Sequence, residues 1–362
     1  EALEREFERR GVALIDIEAG SRILADELAS GRAGEAELVI GAASGLSESA
    51  PTDGAPTAAP LAPSSPAVAR LPLLARATTT GRDPAGTITF VRELDLDHDR
   101  YLRDHRVDGQ PVFPFAAAME LMAEGAIAAT PGQSLAGLQG IRLLKGIVVP
   151  DGGRFAVRVS TKPLPTAGEV EVTIGAADGS RLHYRSVARL HGPEATPAAP
   201  AGPVALPELP AFPLPLRDAY RDLLFHGPIF QGIGAIAGMD GRGATAQLHP
   251  SVPADCMSDS EGLSWELDPV MLDSALQAQV LWARLQWDVT LLPAEIVGYE
   301  RFDAPRPGES VHHELRIQGQ SAPPMCHADH WFFGADGRLL ATLTGVVGVG
   351  TRALNRLAAT RV

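Results

Sequence analysis

Cysteine and lysine are almost missing from this chain of 362 residues, which holds Cys256, Cys326, Lys145 and Lys162 and no others of either type. Two distant cysteines cannot build a disulfide framework or a paired-cysteine zinc site, so a reducing cytoplasm is the expected setting. Basic charge is also short. Against 44 acidic residues stand 31 Lys and Arg, a formal net charge of −13, which argues against nucleic acid and anionic membranes as partners. No apolar run reaches the roughly 20 residues that span a bilayer, and no basic-then-apolar leader opens the sequence. What is plentiful is Ala, Gly and Pro, with arginine standing in for lysine, the coding bias of a GC-rich bacterial genome. The length allows two or three domains.

Composition divides the chain. Residues 1–42 read as strand, helix, strand, too little to bury both faces of a sheet, and so as the end of a larger α/β domain. Residues 43–70 are linker-like, poor in large apolar residues. A unit over 71–191 alternates in the manner of antiparallel strands at Leu71–Thr79, Thr87–Leu94, Ile141–Val149, Arg154–Thr161, Glu169–Ala176 and Leu182–Leu190. One helix, Pro114–Ala129, interrupts them. A second linker, 192–215, carries eight prolines. The scheme then repeats over 216–350, with a helix from Pro269 to about Gln286 and strands at 229–239, 243–248, 291–302, 310–318, 325–333 and 339–349; residues 351–362 form a tail. Pro114 and Pro269 stand 155 residues apart, and the hairpin turns Ala177-Asp178-Gly179 and Ala335-Asp336-Gly337 stand 158 apart, which marks a repeat.

Chemistry-bearing residues gather at the two helices. His105 lies in a loop, Gly109 follows four residues later, and Pro114 opens the first helix five after that. An imidazole beside a helix start sits where free N–H groups favour developing negative charge; read alone, the stretch equally suits a loop histidine before a core helix. In the second helix Asp268 precedes Pro269 and suits the N-cap. Asp273 lies a turn further in among apolar residues, with Gln277 four residues on and within reach. Burial would raise the Asp273 pKa and make it a proton donor near neutral pH; a wet helix face is the alternative. His226-Gly227-Pro228 reads as a tight turn before a strand. His312, His313 and Cys326–His330 form a cluster, but strand alternation splits the latter between two faces, so no metal site is expected.

These residues resemble the dehydratase domains of polyketide synthases and the related polyunsaturated-fatty-acid and enediyne synthases. The family's His-x3-Gly-x4-Pro motif stands as His105, Gly109 and Pro114, and its Asp-x3-Gln/His motif as Asp273 and Gln277. The Gly-Tyr-Gly-Pro motif is matched in part, with His226 at the tyrosine position before Gly227 and Pro228, a form similar to the iterative branch. The resemblance covers about residues 70–350, and residues 1–42 resemble the tail of a ketoreductase domain.

The resemblance implies an α+β double hotdog and loss of water from a β-hydroxyacyl thioester on the phosphopantetheine arm of an acyl carrier protein. His105 would be the base and Asp273 the acid. The Gly109 amide, at the helix start, would steady the enolate-like oxygen, and Gln277 and His226 would orient Asp273 or the substrate, with no metal or redox cofactor. The expected partners are the carrier protein, other domains of the same synthase and a second copy of the chain. Rivals are a hotdog thioesterase, a product-template cyclase and a non-catalytic dimerisation or carrier-docking domain. The two halves are expected to meet at His105 and Asp273, at the inner end of an apolar tunnel.

Overall fold

The computed structural model describes residues 62–63, 68–79, 82–192, 199–200, 202 and 206–360. The strand–helix–strand expected over 1–42 lies outside these residues. Two helices carry the core. Helix α1, Phe115–Ala129, buries 13 of its 15 residues, so it is enclosed on all sides rather than amphipathic. Its alanines let a sheet close tightly. At Gly125 even a Cβ would lie 2.9 Å from Val159 Cγ1, so the helix and the strand opposite touch through a residue without a side chain. The second core helix, α4 (Pro269–Trp287), buries 15 of 19. Between them lie two short helices, α2 (Leu216–Asp222) and α3 (Pro253–Cys256).

Around the helices runs one antiparallel sheet. Its long strands are β3 (Ile88–Asp95), β6 (Ser134–Leu143), β7 (Arg154–Pro163), β8 (Glu169–Ala176), β9 (Leu182–His191), β10 (Ile233–Asp240), β11 (Gly243–Leu248), β12 (Thr290–Arg301), β13 (Val311–Ile317), β14 (Met325–Phe333) and β15 (Leu339–Thr351). Two-residue strands β1 (Ala62–Pro63) and β2 (Thr78–Thr79) extend one edge, and β4 (Arg106–Val107) and β5 (Gln110–Pro111) form a separate hairpin. The sheet order is β1-β2-β3-β7-β8-β9-β6-β12-β15-β14-β13-β11-β10. Outward from the centre each half follows the same rule: the strand after the helix, then the last strand, then the preceding ones in turn. β6 meets β12 across the middle, with Ile141 opposite Ile296 and Leu138 opposite Tyr299. That is a double hotdog, two helix-wrapping sheets fused edge to edge.

The structure corrects several boundaries. Of the strand expected at Leu71–Thr79 only Thr78–Thr79 forms. Leu71, Leu73 and Leu74 are all buried, so there is no two-residue alternation, and the chain turns with Leu74 N–H donating to Leu71 O (3.0 Å). The strand expected at 141–149 begins at Ser134 and ends at Leu143, because Phe113 and Pro111 take the backbone of Ile147 and Val149 into the loop before α1. The tail forms a 3₁₀ segment, Arg352–Thr360. Asp268 caps α4 as expected, accepting from Val270 N and Met271 N (3.1 Å each).

The alternation read in Cys326–His330 holds: Cys326, Ala328 and His330 are buried while His327 and Asp329 are half-buried. His330 meets His313 of β13. Gln279 Nε2 donates to Cys326 O (3.3 Å), so its Oε1 faces His330 and receives the Nε2 proton (3.3 Å). His330 Nδ1 must then accept, and His313 Nε2 donates to it (3.0 Å). Each link uses a neutral ring, and burial holds both pKa values down, His330 to about 3. An unfolded histidine titrates near 6.5, so below that pH the unfolded state binds protons the folded state refuses. The pair's contribution is therefore present above about pH 6.5 and is lost as pH falls, by up to about 1.4 kcal/mol per pH unit for each proton. Denaturant melts of wild type and His330→Gln should show a stability difference that shrinks from pH 7 to pH 5; a constant difference would contradict the neutral chain.

Candidate active site

His105 follows a short 3₁₀ helix, Arg100–Asp104, anchored by the fully buried ion pair of Arg92 on β3 with Asp99. After His105 the chain makes a hairpin whose turn residues, Asp108 and Gly109, both have positive φ (50° and 76°). Asp-Gly is the pair such a two-residue turn prefers. The hairpin returns Val112 to His105: Val112 N donates to His105 O (2.9 Å), and Val112 O lies 2.7 Å from His105 Nδ1. A carbonyl can only accept, so Nδ1 carries the proton and Nε2 keeps its lone pair. The four-residue spacing of His105 and Gly109 is thus a device for fixing a tautomer.

This overturns the placing of Gly109. Gly109 sits at the hairpin tip rather than at the helix start, and it is not on the wall of the cavity described below. Pro114 precedes the first helical turn as the N-cap, with an extended backbone (φ −63°, ψ 144°), and its carbonyl accepts from Ala118 N (3.0 Å). It sets the direction of α1 and is likewise off the cavity wall.

Asp273 reaches the same place from α4. Gln277 Nε2, one helical turn on, donates to Asp273 Oδ2 (2.7 Å) and to Phe230 O (2.9 Å), and His226 Nε2 lies 3.3 Å from the same Oδ2. His105 and His226 face each other as a one-residue antiparallel bridge, joining the halves at the site itself. Asp104 secures that bridge. Its carbonyl accepts from Gly227 N and its Oδ2 from Ile229 N (2.7 Å each), and a Cβ on Gly227 would come within 2.7 Å of the Asp104 carboxyl. Phe225 stacks on His226 at 4.0 Å, and Phe225 and Phe230 present edges to His105 at 5.4 and 5.5 Å. His105, His226, Asp273 and Gln277 are all buried.

These four residues line one cavity of about 370 Å3, walled mainly by apolar groups such as Phe113, Phe115, Tyr184, Leu276 and Val280, with exposed Lys145 at its rim. Burial drives the titrations in opposite senses. It lowers the His105 pKa, against the pull of Asp273 and the bond to Val112, and it raises that of Asp273, against His105 and Gln277. An imidazole pushed toward its neutral form, with its lone pair on Nε2, therefore faces a carboxyl that holds its proton more tightly than an ordinary aspartate. The donor atoms of His105, His226 and Asp273 lie within 4.8 Å of one another. With Oδ2 already taking two side-chain contacts, the group is arranged for proton transfer.

Two family models match in succession: the polyketide synthase dehydratase domain over residues 72–177 and the polyketide synthase dehydratase N-terminal domain over 197–356. This chain belongs to the polyketide synthase dehydratases. A polyunsaturated fatty acid synthase subunit from a Thraustochytrium species is 29% identical over 225 residues, which is 60% of this chain and 8% of that much longer protein. Among solved structures, the dehydratase domain from the CurJ module of the curacin synthase superposes with a TM-score of 0.62 at 16% identity, covering 80% of this chain and 99% of that one. GphF dehydratase 1 gives 0.60 at 21%, covering 77% and 98%. At such identities these two likenesses speak for the fold, a double hotdog.

Asp104, Phe225 and Phe230 were not singled out from the sequence. The acidic residue directly before His105 was the one available signal, and its partner is a backbone 125 residues away. Gly227→Ala should push the Asp104 carboxyl aside and separate the two histidine segments. We expect dehydration to fall by about tenfold or more, the scale of a misplaced reacting group, with the melting transition retained. Wild-type turnover in this variant would show that the clamp is not needed.

Proposed function

We propose that this dehydratase domain converts a β-hydroxyacyl thioester, carried on the phosphopantetheine arm of an acyl carrier protein, to the α,β-unsaturated thioester and water. His105 acts as base and Asp273 as acid. The observation that carries the assignment is the pairing of a tautomer-fixed imidazole with a buried carboxyl on one apolar cavity wall, each from a different half of the fold. His105 Nε2 takes the α-proton. The electrons left behind form the Cα–Cβ double bond as the Cβ–O bond breaks, and the departing hydroxyl takes the Asp273 proton and leaves as water. The imidazolium proton then returns to the carboxylate, restoring both groups. Gln277 and His226 hold Oδ2, so Oδ1 is the oxygen that delivers the proton. Negative charge on the thioester oxygen is met by the start of α1, where Phe115 reaches the cavity wall. This replaces the Gly109 amide in that role.

The chemistry asks for no metal or redox cofactor. An arm carrying a phosphodiester suits Lys145, a cation at the rim of an otherwise acidic protein. The carrier protein and the remaining domains of a synthase are the partners we propose, in the cytoplasm. Among the described residues no helix is long and apolar enough to cross a membrane. We also propose a homodimer, since among the described residues the sheet ends in edge strands at β1 and β10 that need covering. Light scattering at micromolar concentration should give twice the chain mass, and a monomer would refute this.

Asp273→Asn keeps the shape and removes the acid, so loss of water from a carrier-bound β-hydroxyacyl thioester, followed by mass, should slow by about a hundredfold or more. His105→Ala should slow it comparably, and the double variant by much less than the product of the two, because the groups act as a unit. Turnover near wild type in Asp273→Asn would remove Asp273 from the mechanism.

A further inference from the structure

Helix α1 carries two acids that the reaction above does not use. Glu120 and Glu124 are one turn apart, and neither has any exposed surface. Each receives two backbone N–H groups, from different parts of the chain. Glu120 Oε1 accepts from Glu266 N (2.9 Å) and its Oε2 from Leu267 N (2.6 Å), while Glu124 accepts from Leu73 N (3.0 Å) and Leu74 N (2.8 Å). The carboxyls also hydrogen-bond to each other. Two carboxylates in contact cannot both stay ionised in a dry interior, so one proton sits between them.

Glu266 and Leu267 lead directly into Asp268, the cap of α4, whose sixth residue from the cap is Asp273 counted inclusively. The entry of the acid-bearing helix is therefore held from three directions. Asp268 closes its first turn, Ser251 binds Asp268 through its N–H (2.6 Å) and Oγ (2.7 Å), and Glu120 reaches across from the other hotdog to grip the two residues before the cap. Only the last of these ties α4 to α1, the helix that follows the His105 hairpin. We infer that Glu120 is a positioning residue for the acid: by receiving Glu266 N and Leu267 N it registers α4 against α1 and so places Asp273 opposite His105. This rests on Asp273 being the acid.

The two carboxyls are not equivalent. Burial and the neighbouring charge raise Glu124 furthest, and Glu120 rises to about 7. Glu124 thus holds the proton and donates it to Glu120, which accepts three hydrogen bonds. The titratable groups facing the pair are Glu266, Tyr299 and Arg301 on the Glu120 side and Arg92 and Tyr101 on the Glu124 side. Glu124→Gln keeps a donor toward Glu120. Either glutamine turns one amide N–H toward a backbone donor, Leu73 N or Leu74 N at position 124 and Glu266 N or Leu267 N at position 120, but only Glu120→Gln loosens the entry of α4.

The test compares Glu120→Gln, Glu124→Gln and Asp273→Asn in the full chain, on a carrier-bound β-hydroxyacyl thioester. We expect Glu120→Gln to lower kcat by about tenfold with KM little changed, the signature of a displaced catalytic group. Its alkaline pH–rate limb, where Asp273 loses its proton, should move by roughly half a pH unit or more as the surroundings of that carboxyl change. Glu124→Gln should keep kcat within about twofold and leave the limb in place, at whatever melting temperature it shows. If Glu120→Gln does not fold, Glu120→Asp, which keeps the charge but shortens the reach, takes its place with the same expectations. Wild-type kcat and pH profile at position 120, or equal losses at 120 and 124, would overturn the inference and leave the pair a matter of stability alone. Retained turnover in Asp273→Asn would instead sink the acid assignment, a failure read on a different variant.

Discussion

The pairing of β6 with β12 is the contact on which the rest of the molecule depends. Each of these strands directly follows the core helix of its own half, and joining them makes one sheet out of two. Two separate hotdogs would each leave a central strand with unpaired backbone groups, an edge open to any other chain. Fusing the edges satisfies those groups and also brings α1 and α4 side by side on the face the sheet encloses. The cavity lies where the His105 hairpin and the start of α1 meet the Phe225-His226 segment and one face of α4. His105 and Asp273, which lie in different halves, are brought within reach of each other by a sheet register.

Hydrogen bonds to backbone, more than ion pairs, hold the site in place. His105 is fixed by Val112 O, Asp273 indirectly by Phe230 O through Gln277, and the two histidine segments by Asp104. Peptide groups cannot rotate away as long side chains do, and satisfying them is obligatory when buried. The charged pairs on the outer surface, such as Arg142 with Glu295 at the central seam, are solvated and add little by comparison. The apolar walls have a different part. By excluding water they favour the neutral forms of both His105 and Asp273, which is the state an acid–base pair needs before the substrate arrives.

His226 stands at the tyrosine position of the Gly-Tyr-Gly-Pro motif. Here the imidazole stacks on Phe225 and places Nε2 beside Asp273 Oδ2. A ring in that position can support one oxygen of the acid and leave the other to the substrate. The glycine after it serves a separate end, since only a residue without a side chain lets Asp104 approach so closely.

The sequence by itself determined the repeat, the two core helices, most of the long strands and the motif residues. Each of these depends on local periods, on caps and on turn chemistry such as the Asp-Gly pairs, which neighbouring residues decide. It also showed that Asp273 and Gln277 share a helix face, since a spacing of four allows little else. The Asp108-Gly109 hairpin is as local a signal as the others, whereas the tertiary structure alone decided that the chain turns through Leu71–Leu74 and that Asp104, Glu120 and Glu124 grip distant peptide groups. The three acids find their partners 50 to 147 residues away in the chain, and a contact across that distance leaves no periodic mark on the residues that make it. Glu120 and Glu124 stand in the sequence as two acids in an apolar helix; what they bind is decided only by tertiary packing.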